Sequence, residues 1–400
     1  MTASAEGGQV GCARYTYRLR VSSAAHAALL SEWDRCRWVW NQCVAQSRAA
    51  HKAKGKCGPA GLDKMLTGWR AGRDWLRAGA SVPQQQIIRD FAASRAKAVK
   101  DIKARLPVRQ RAGMPRLKKK ELADPTLNYT RRGFRLKDGL LHLAGGMSLT
   151  VVWSRELPTD PSSVRVYRDG LGHWYASFVV QAEAQPLPVT GTAIGVDWGV
   201  KETATTSSDD HDLPYPGYGR KAAGKLGGYQ RMMARRQPNR GRAASKGYRR
   251  AKRQAAKVHK KIARQRQDTA RKWAKRVVTD FGRIAVEDFR PKFLAKSTMA
   301  RKAADAAIST TKHELINMAR KHGRELRLVH PAHTTMDCGQ CGARTKHALP
   351  LSERTYTCTA CGAVSPRDKN SARVMLVRAG FIPAAVDRGR PDGPLVRRAA

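Results

Sequence analysis

Four cysteines stand as two pairs, Cys338-Gly-Gln-Cys341 and Cys358-Thr-Ala-Cys361, with sixteen residues between the pairs. Each pair closes a short loop that aims two thiolates at one point, and two such loops complete the tetrahedral shell that Zn2+ prefers. Gly339, Gly342 and Gly362 suit the tight knuckles this needs. A redox pair requires only one CxxC, so structural zinc is the expected chemistry. His330, His333 and His347 lie close by, but four thiolates already fill the shell. Cys12, Cys36, Cys43 and Cys57 show no ligand spacing and are read as ordinary thiols of a reducing compartment.

A second kind of chemistry is suggested by carboxylates in apolar surroundings. Asp197 interrupts the apolar run Ile194-Gly-Val-Asp197-Trp-Gly199, where an unpaired buried charge is costly unless a cation compensates it. Glu287 and Asp288 end the strand-like Ile284-Ala-Val286, and Asp368 lies between Arg367 and Lys369 at the start of the last helical stretch. Hydrolysis of a phosphodiester needs an activated water and relief of charge on the leaving oxygen, which two divalent ions about 3.5–4 Å apart supply. Magnesium takes hard oxygen ligands, so acids converging from separate segments suit it. Each acid alone also has an ordinary reading, as a salt-bridged strand residue or, for Asp368, as a first-turn residue favoured by the helix dipole.

The elements that must position these residues are legible from periodicity. Residues 13–20 alternate as a strand, apolar residues from Ala24 to about Val44 recur at helical spacing, and a second helix is expected from Pro83 through Ala104. The Trp residues of this basic helical unit are read as core. Short alternating strands follow, Phe134–Leu136 and Leu140–Leu143 around Asp138-Gly139, then Val164–Tyr167 and Trp174–Val180 around Asp169-Gly170, and a small β-barrel fits them together with the first strand. Past the Pro-containing link at 185–189, apolar strands are expected at 193–198, 202–206, 283–289 and 325–329, with helices at 251–278, 300–322 and 371–379.

The 77 Lys and Arg against 31 Asp and Glu leave a formal charge of +46, more like charge than a compact chain tolerates without a polyanion. Between Lys221 and Thr279 Asp268 is the sole acid, while Val258, Ile262, Thr269, Trp273 and Val277 share one helical face. The rest of that helix is a basic ridge without acidic i,i+4 partners, which favours nucleic acid. A membrane partner is disfavoured, because no apolar run of about 18 residues occurs. The first residues lack the pattern of a secretory signal, so a cytoplasmic location is expected.

With the zinc spacing and the acids together, the chain resembles TnpB, the insertion-sequence family related to type V CRISPR effectors. Gly195-Val-Asp197-Trp-Gly199, Ala285-Val-Glu287-Asp-Phe289 and Arg367-Asp368-Lys-Asn370 are similar to its three RuvC motifs, and Gly113-Met-Pro-Arg-Leu-Lys118 to its glycine-proline-basic segment. The resemblance implies an RNase H-like fold in which Asp197, Glu287 and Asp368 hold two magnesium ions, Asp288 being a neighbour rather than a ligand.

The expected architecture is α+β: a β-barrel wedge over residues 1–187 with a helical recognition unit inserted at about 22–110, then an RNase H-like (RuvC) domain over 188–330 and 365–382, interrupted by a zinc ribbon at 331–364 and followed by a disordered tail, 383–400. The implied function is RNA-guided, magnesium-dependent cutting of double-stranded DNA beside a short flanking motif. The guide RNA would come from the transposon end and the particle would be a monomeric ribonucleoprotein. The alternatives are a compact type V CRISPR effector, a guide-dependent DNA-binding protein without cleavage, and a DNA-joining transposase.

Overall fold

The computed structural model describes residues 11–108, 110–120, 123–239, 242–289, 297–345, 350, 352–382 and 396–398. The chain divides into two compact units, one spanning Val10–Ala182 and the other Glu183–Ala400.

The first unit begins with β1 (Gly11–Arg20), then the helices α1 (Ser23–Lys52), α2 (Pro59–Ala71), α3 (Asp74–Arg77) and α4 (Ser81–Lys103). Six strands follow: β2 (Thr126–Thr130), β3 (Phe134–Lys137), β4 (Leu140–Leu143), β5 (Met147–Val152), β6 (Ser163–Arg168) and β7 (Trp174–Ala182). They form one antiparallel sheet of order β2-β6-β7-β1-β5-β4-β3, a nearly closed barrel whose two edge strands are consecutive in the chain. The Asp138-Gly139 hairpin has positive φ at both residues, the combination that matches strand twist in a two-residue turn. Helix α1 is longer than its periodicity suggests and is capped by Ser22, whose side chain accepts from the Ala25 N–H. Helices α2 and α3 were not foreseen, because Gly61 and Gly68 dilute the apolar spacing of α2, and α3 is a single turn. Trp33 and Trp40 are core as expected, whereas Trp38 meets Trp69 and Trp75 edge-on near the surface.

The second unit holds β8 (Ala193–Trp198), β9 (Glu202–Thr206), β10 (Leu213–Pro214), α5 (Tyr218–Lys221), α6 (Ala223–Arg235), α7 (Lys246–Asp280), β11 (Arg283–Glu287), α8 (Ala300–Ala306), α9 (Ile308–Lys321), β12 (Glu325–Val329), β13 (Thr355–Thr357), β14 (Val364–Pro366), α10 (Arg367–Arg378) and β15 (Val396–Arg398). Its main sheet has the order β10-β9-β8-β11-β12-β15, with β8, β11 and β12 mutually parallel and the other pairings antiparallel.

Three sequence expectations need correction. The single helix expected over 300–322 breaks at Ala307, which adopts a left-handed conformation and separates α8 from α9. The stretch expected to link the units belongs to the second one: the Gln185 N–H donates to the Lys321 carbonyl, and Arg324 donates to the Pro188 carbonyl. Residues 396–398, inside the expected disordered tail, form the sheet's outer strand; 383–395 and 399–400 lie outside the described residues.

Candidate active site and metal centre

The period of two along a strand decides what Asp197 faces. Ile194, Val196 and Trp198 point into the core shared with Trp273 and Val277 of α7, so Gly195 and Asp197 point to the opposite face. There α10 lies across the sheet. A Cβ on Gly195 would sit 1.8 Å from the Ala372 carbonyl oxygen, so only glycine lets the helix come this close. On β11 the same alternation sends Ile284 and Val286 to the α7 core and Ala285 into the cluster with Met375 and Leu376 of α10. Glu287 therefore shares the α10 face with Asp197.

Register brings the two acids side by side. Val196 pairs with Val286 in the parallel ladder, and the next residue of each strand is Asp197 or Glu287. The two carboxyl groups are near enough for the charge of Glu287 to act on Asp197. Glu287 is 7% exposed, and its Oε2 accepts the Trp198 N–H at 3.3 Å while its carbonyl accepts the Trp198 indole N–H at 3.1 Å. Asp368, in the first turn of α10, adds a third negative charge whose field reaches Asp197. It has loose contacts with Arg367 at 3.5 Å and Arg354 at 3.9 Å.

Burial, then the charges of Glu287 and Asp368, hold the Asp197 carboxyl well above the usual range. Glu287 is raised as well, chiefly by burial, although the Trp198 N–H and Lys312 favour its charge. Two carboxyl groups in contact share a proton unless a cation replaces it. Among the described residues neither has a Lys or Arg at ion-pair distance, so the donor set is hard oxygen without an internal counter-ion, which suits a divalent metal. Asp288 is turned the other way, its Oδ1 2.6 Å from Lys312 Nζ. This separates the adjacent acids: Glu287 faces Asp197, and Asp288 is held in an ion pair.

The four sulfurs of Cys338, Cys341, Cys358 and Cys361 lie within 4.8 Å of one another, with Cys338 to Cys361 at 3.8 Å and Cys341 to Cys358 at 3.6 Å. A tetrahedron with Zn–S of about 2.3 Å has edges of about 3.8 Å, so the cluster fits zinc. Both knuckles have the same turn. The Gly342 N–H donates to the Cys338 carbonyl and the Gly362 N–H to that of Cys358, both glycines at positive φ. His330 bonds locally to Ala332 and His333 lies beside Met336, so neither joins the cluster. His347 lies outside the described residues.

The basic ridge is on α7. Ile262, Trp273 and Val277 are buried, Val258 and Thr269 half-buried, while Lys252, Arg253, Lys257, Lys261, Arg264, Lys275 and Arg276 are exposed. Asp268 pairs with Lys272, and Arg271 reaches Glu314. No helix among the described residues is long and apolar enough to cross a membrane.

Sequence reasoning missed the residues that hold these parts in place. Asp305 is 3% exposed and accepts from Arg266, Tyr215 Oη and the N–H groups of Gly219 and Arg220. Burial opposes its charge, but these donors keep its carboxyl below the usual range. Lys369 bridges Asp209 and Asp212, both at 2.8 Å. Asn370 binds the first knuckle. The only advance signal for the last two was their place beside Asp368.

A parallel-centred sheet carrying clustered acids, a four-cysteine cluster and a basic helix suit an enzyme that acts on nucleic acid. The profile of the OrfB_IS605 family, described as "Probable transposase", matches residues 177–330, and that of the Cas12f1-like TNB domain matches 309–375. The chain is 29% identical over 386 residues to a protein of Streptomyces pristinaespiralis, covering 94% of this chain and 92% of that one. It is 25% identical over 402 residues to InsQ of Escherichia coli (strain K12), covering 94% and 95%. Both carry the name "Putative RNA-guided DNA endonuclease". In fold it resembles the protein of a Cas12f1-sgRNA-target DNA complex, with a TM-score of 0.51 at 14% identity over 90% of this chain and 83% of that one. Over most of its length the chain is similar to these relatives named as RNA-guided DNA endonucleases.

Proposed function

We propose that this protein is an RNA-guided DNA endonuclease that cuts double-stranded DNA at a single site formed by Asp197, Glu287 and Asp368. The observation that carries the reading is the convergence of Asp197 and Glu287 on adjacent parallel strands, beneath the glycine-permitted helix that brings Asp368. The strand order, three antiparallel strands followed by two parallel to the first, supports an RNase H-like (RuvC) core for 188–330 and 365–382, with residues 331–364 as a zinc ribbon inserted in it. The antiparallel barrel, with the helices set between β1 and β2, supports a wedge with its helical recognition unit, ending at Ala182 rather than at the expected 187.

The three acids would hold two Mg2+, which when bound supply an activated water and neutralise charge on the leaving oxygen. The chain's own groups prepare this. Trp198 fixes Glu287 through its backbone N–H, Lys312 draws Asp288 aside, and burial raises the affinity of Asp197 and Glu287 for protons, whose place a metal would take. A guide RNA would supply sequence specificity by pairing with the target, beside a short flanking motif read by the protein, while α7 contacts phosphates. The guide is assigned to the transposon end because the matching family is a transposon family.

The test is cleavage of a guide-matched duplex by Asp197→Ala, Glu287→Ala and Asp368→Ala. Each should lose cleavage while binding to guide and target persists, and excess EDTA should stop the parent protein. Full activity in any one variant refutes the site. A guide-dependent binder without cleavage would show no magnesium-dependent cutting even in the parent, and a joining enzyme would yield joined rather than cut ends.

A further inference from the structure

The two residues that follow Asp368 are each tied to a different part of the unit. Lys369 Nζ reaches Asp209 and Asp212 and also the Ser208 carbonyl, which anchors α10 to the β9–β10 connection. Asn370, 3% exposed, is tied to the zinc ribbon with both ends of its amide: Nδ2 donates to the Asp337 carbonyl at 2.7 Å and Oδ1 accepts the Gly339 N–H at 2.8 Å. Asp337 and Gly339 flank Cys338, so this amide grips the first zinc knuckle on both sides of a metal-site cysteine. The contact is tight, because a Cβ on Gly339 would lie 2.6 Å from the Arg373 Cβ and 3.1 Å from the Asn370 carbonyl oxygen. Asp337, 3% exposed, adds ion pairs to Arg378 at 2.6 Å and Arg344 at 2.7 Å, fixing the knuckle to the far end of the same helix.

We infer that Asn370 is a positioning residue, through which the zinc knuckle sets where Asp368 stands over Asp197 and Glu287. The inference rests on the proposed acid site. Asn370 is two residues from Asp368 on a rigid first turn, and its bonds to the knuckle leave that turn one seat on the sheet. The ribbon is thus a part of the catalytic geometry as well as a folded module. Removing the amide leaves the Asp337 carbonyl and the Gly339 N–H without their partner in a buried place, and the first turn is free to shift relative to the strands. Groups that hold metal ligands from behind typically matter about 10–100-fold in metal affinity or activity.

The experiment uses the whole chain with its guide. Mn2+ affinity is measured by titration with electron paramagnetic resonance, and the magnesium concentration for half-maximal cleavage is measured beside it, for the parent, Asn370→Ala and Gly339→Ala. The second variant pushes the knuckle off α10 while leaving Asn370 and every cysteine in place. Both should weaken Mn2+ binding about tenfold or more and raise the half-maximal magnesium concentration to match, with guide affinity unchanged and excess magnesium restoring much of the rate. A merely structural role would lower the melting temperature without moving either metal reading well below it. Unchanged Mn2+ affinity overturns the inference, whether or not zinc stays bound, and Gly339→Ala decides alone should Asn370→Ala fail to fold. Asp197→Ala is run alongside: if it keeps Mn2+ binding and cleavage, the acid site itself is wrong; if it loses both while the Asn370 and Gly339 variants behave as the parent, only the positioning role is wrong.

Discussion

Gly195→Ala is the most discriminating single change, because it adds one methyl group on the acid-bearing face without touching an acid. The new Cβ would meet the Ala372 carbonyl oxygen at 1.8 Å, whereas ordinary contact begins near 3.4 Å. Backbone on both sides leaves no side chain to swing aside, so α10 must retreat from β8 by about 1.5 Å, and Asp368 moves with it. Overpacking of this kind costs roughly 1–3 kcal/mol, which for a unit of this size lowers the melting temperature by about 2–10 °C. A misplacement of about 1 Å at reacting groups costs about 100-fold in rate. Cleavage at saturating magnesium should therefore fall at least about 100-fold at temperatures where the protein is fully folded, with zinc content and guide affinity retained. A rate within about threefold of the parent would show that the helix does not set the acid geometry.

Other outcomes follow from the same site. The metal-free protein binds more protons folded than unfolded, since Glu287 is raised to about 7 by burial above the ordinary glutamate value near 4.3. Its stability should thus decline by roughly 2–3 kcal/mol as pH rises from about 4 to about 7. Magnesium should remove most of that decline, and melting curves against pH with and without the ion check it. Lys312→Met removes the ammonium 2.6 Å from half-buried Asp288 and should cost about 1–3 kcal/mol in denaturant unfolding, while Asp288→Ala retains at least partial cleavage. Cys338→Ser should lower both zinc content, by elemental analysis, and melting temperature, because metal binding is coupled to folding. Replacing Lys257, Lys261 and Arg264 by Gln should reduce the log–log salt slope of nucleic-acid binding by about 2–3, with the melting temperature nearly unchanged.

How much of this was legible depended on how local the signal was. Asp197 and Glu287 were conspicuous because one interrupts and the other ends an apolar strand-like run, and the cysteine spacing announced its own geometry. Gly195, three residues into the same run, gave no hint of the Ala372 carbonyl that makes it indispensable, since that contact spans most of the unit. Ala307 reads as a helix former, yet the chain turns there so that Asp305 can reach Arg266 and the backbone at 219–220. The bonds of Asn370 were equally hidden: an amide that looks ordinary in sequence has both partners more than thirty residues away. Pairings at such separation belong to the folded surface and leave no periodic trace.

The placement of β1 in the middle of its sheet has a consequence for how the chain is made. Its partner β7 pairs Gly11 with Ala182 and Arg18 with Tyr175, so this strand leaves the ribosome long before its neighbour exists. At about 5–20 residues per second the wait is about 8–35 s. During it, a strand carrying Tyr15, Tyr17 and Leu19 is exposed to other nascent chains. Arg14, Arg18 and Arg20 alternate with those side chains and face solvent in the finished barrel. Their charges on an unpaired edge discourage pairing with a second copy. The arginines of β1 thus supply the alternating charge that suits a strand left waiting for its partner.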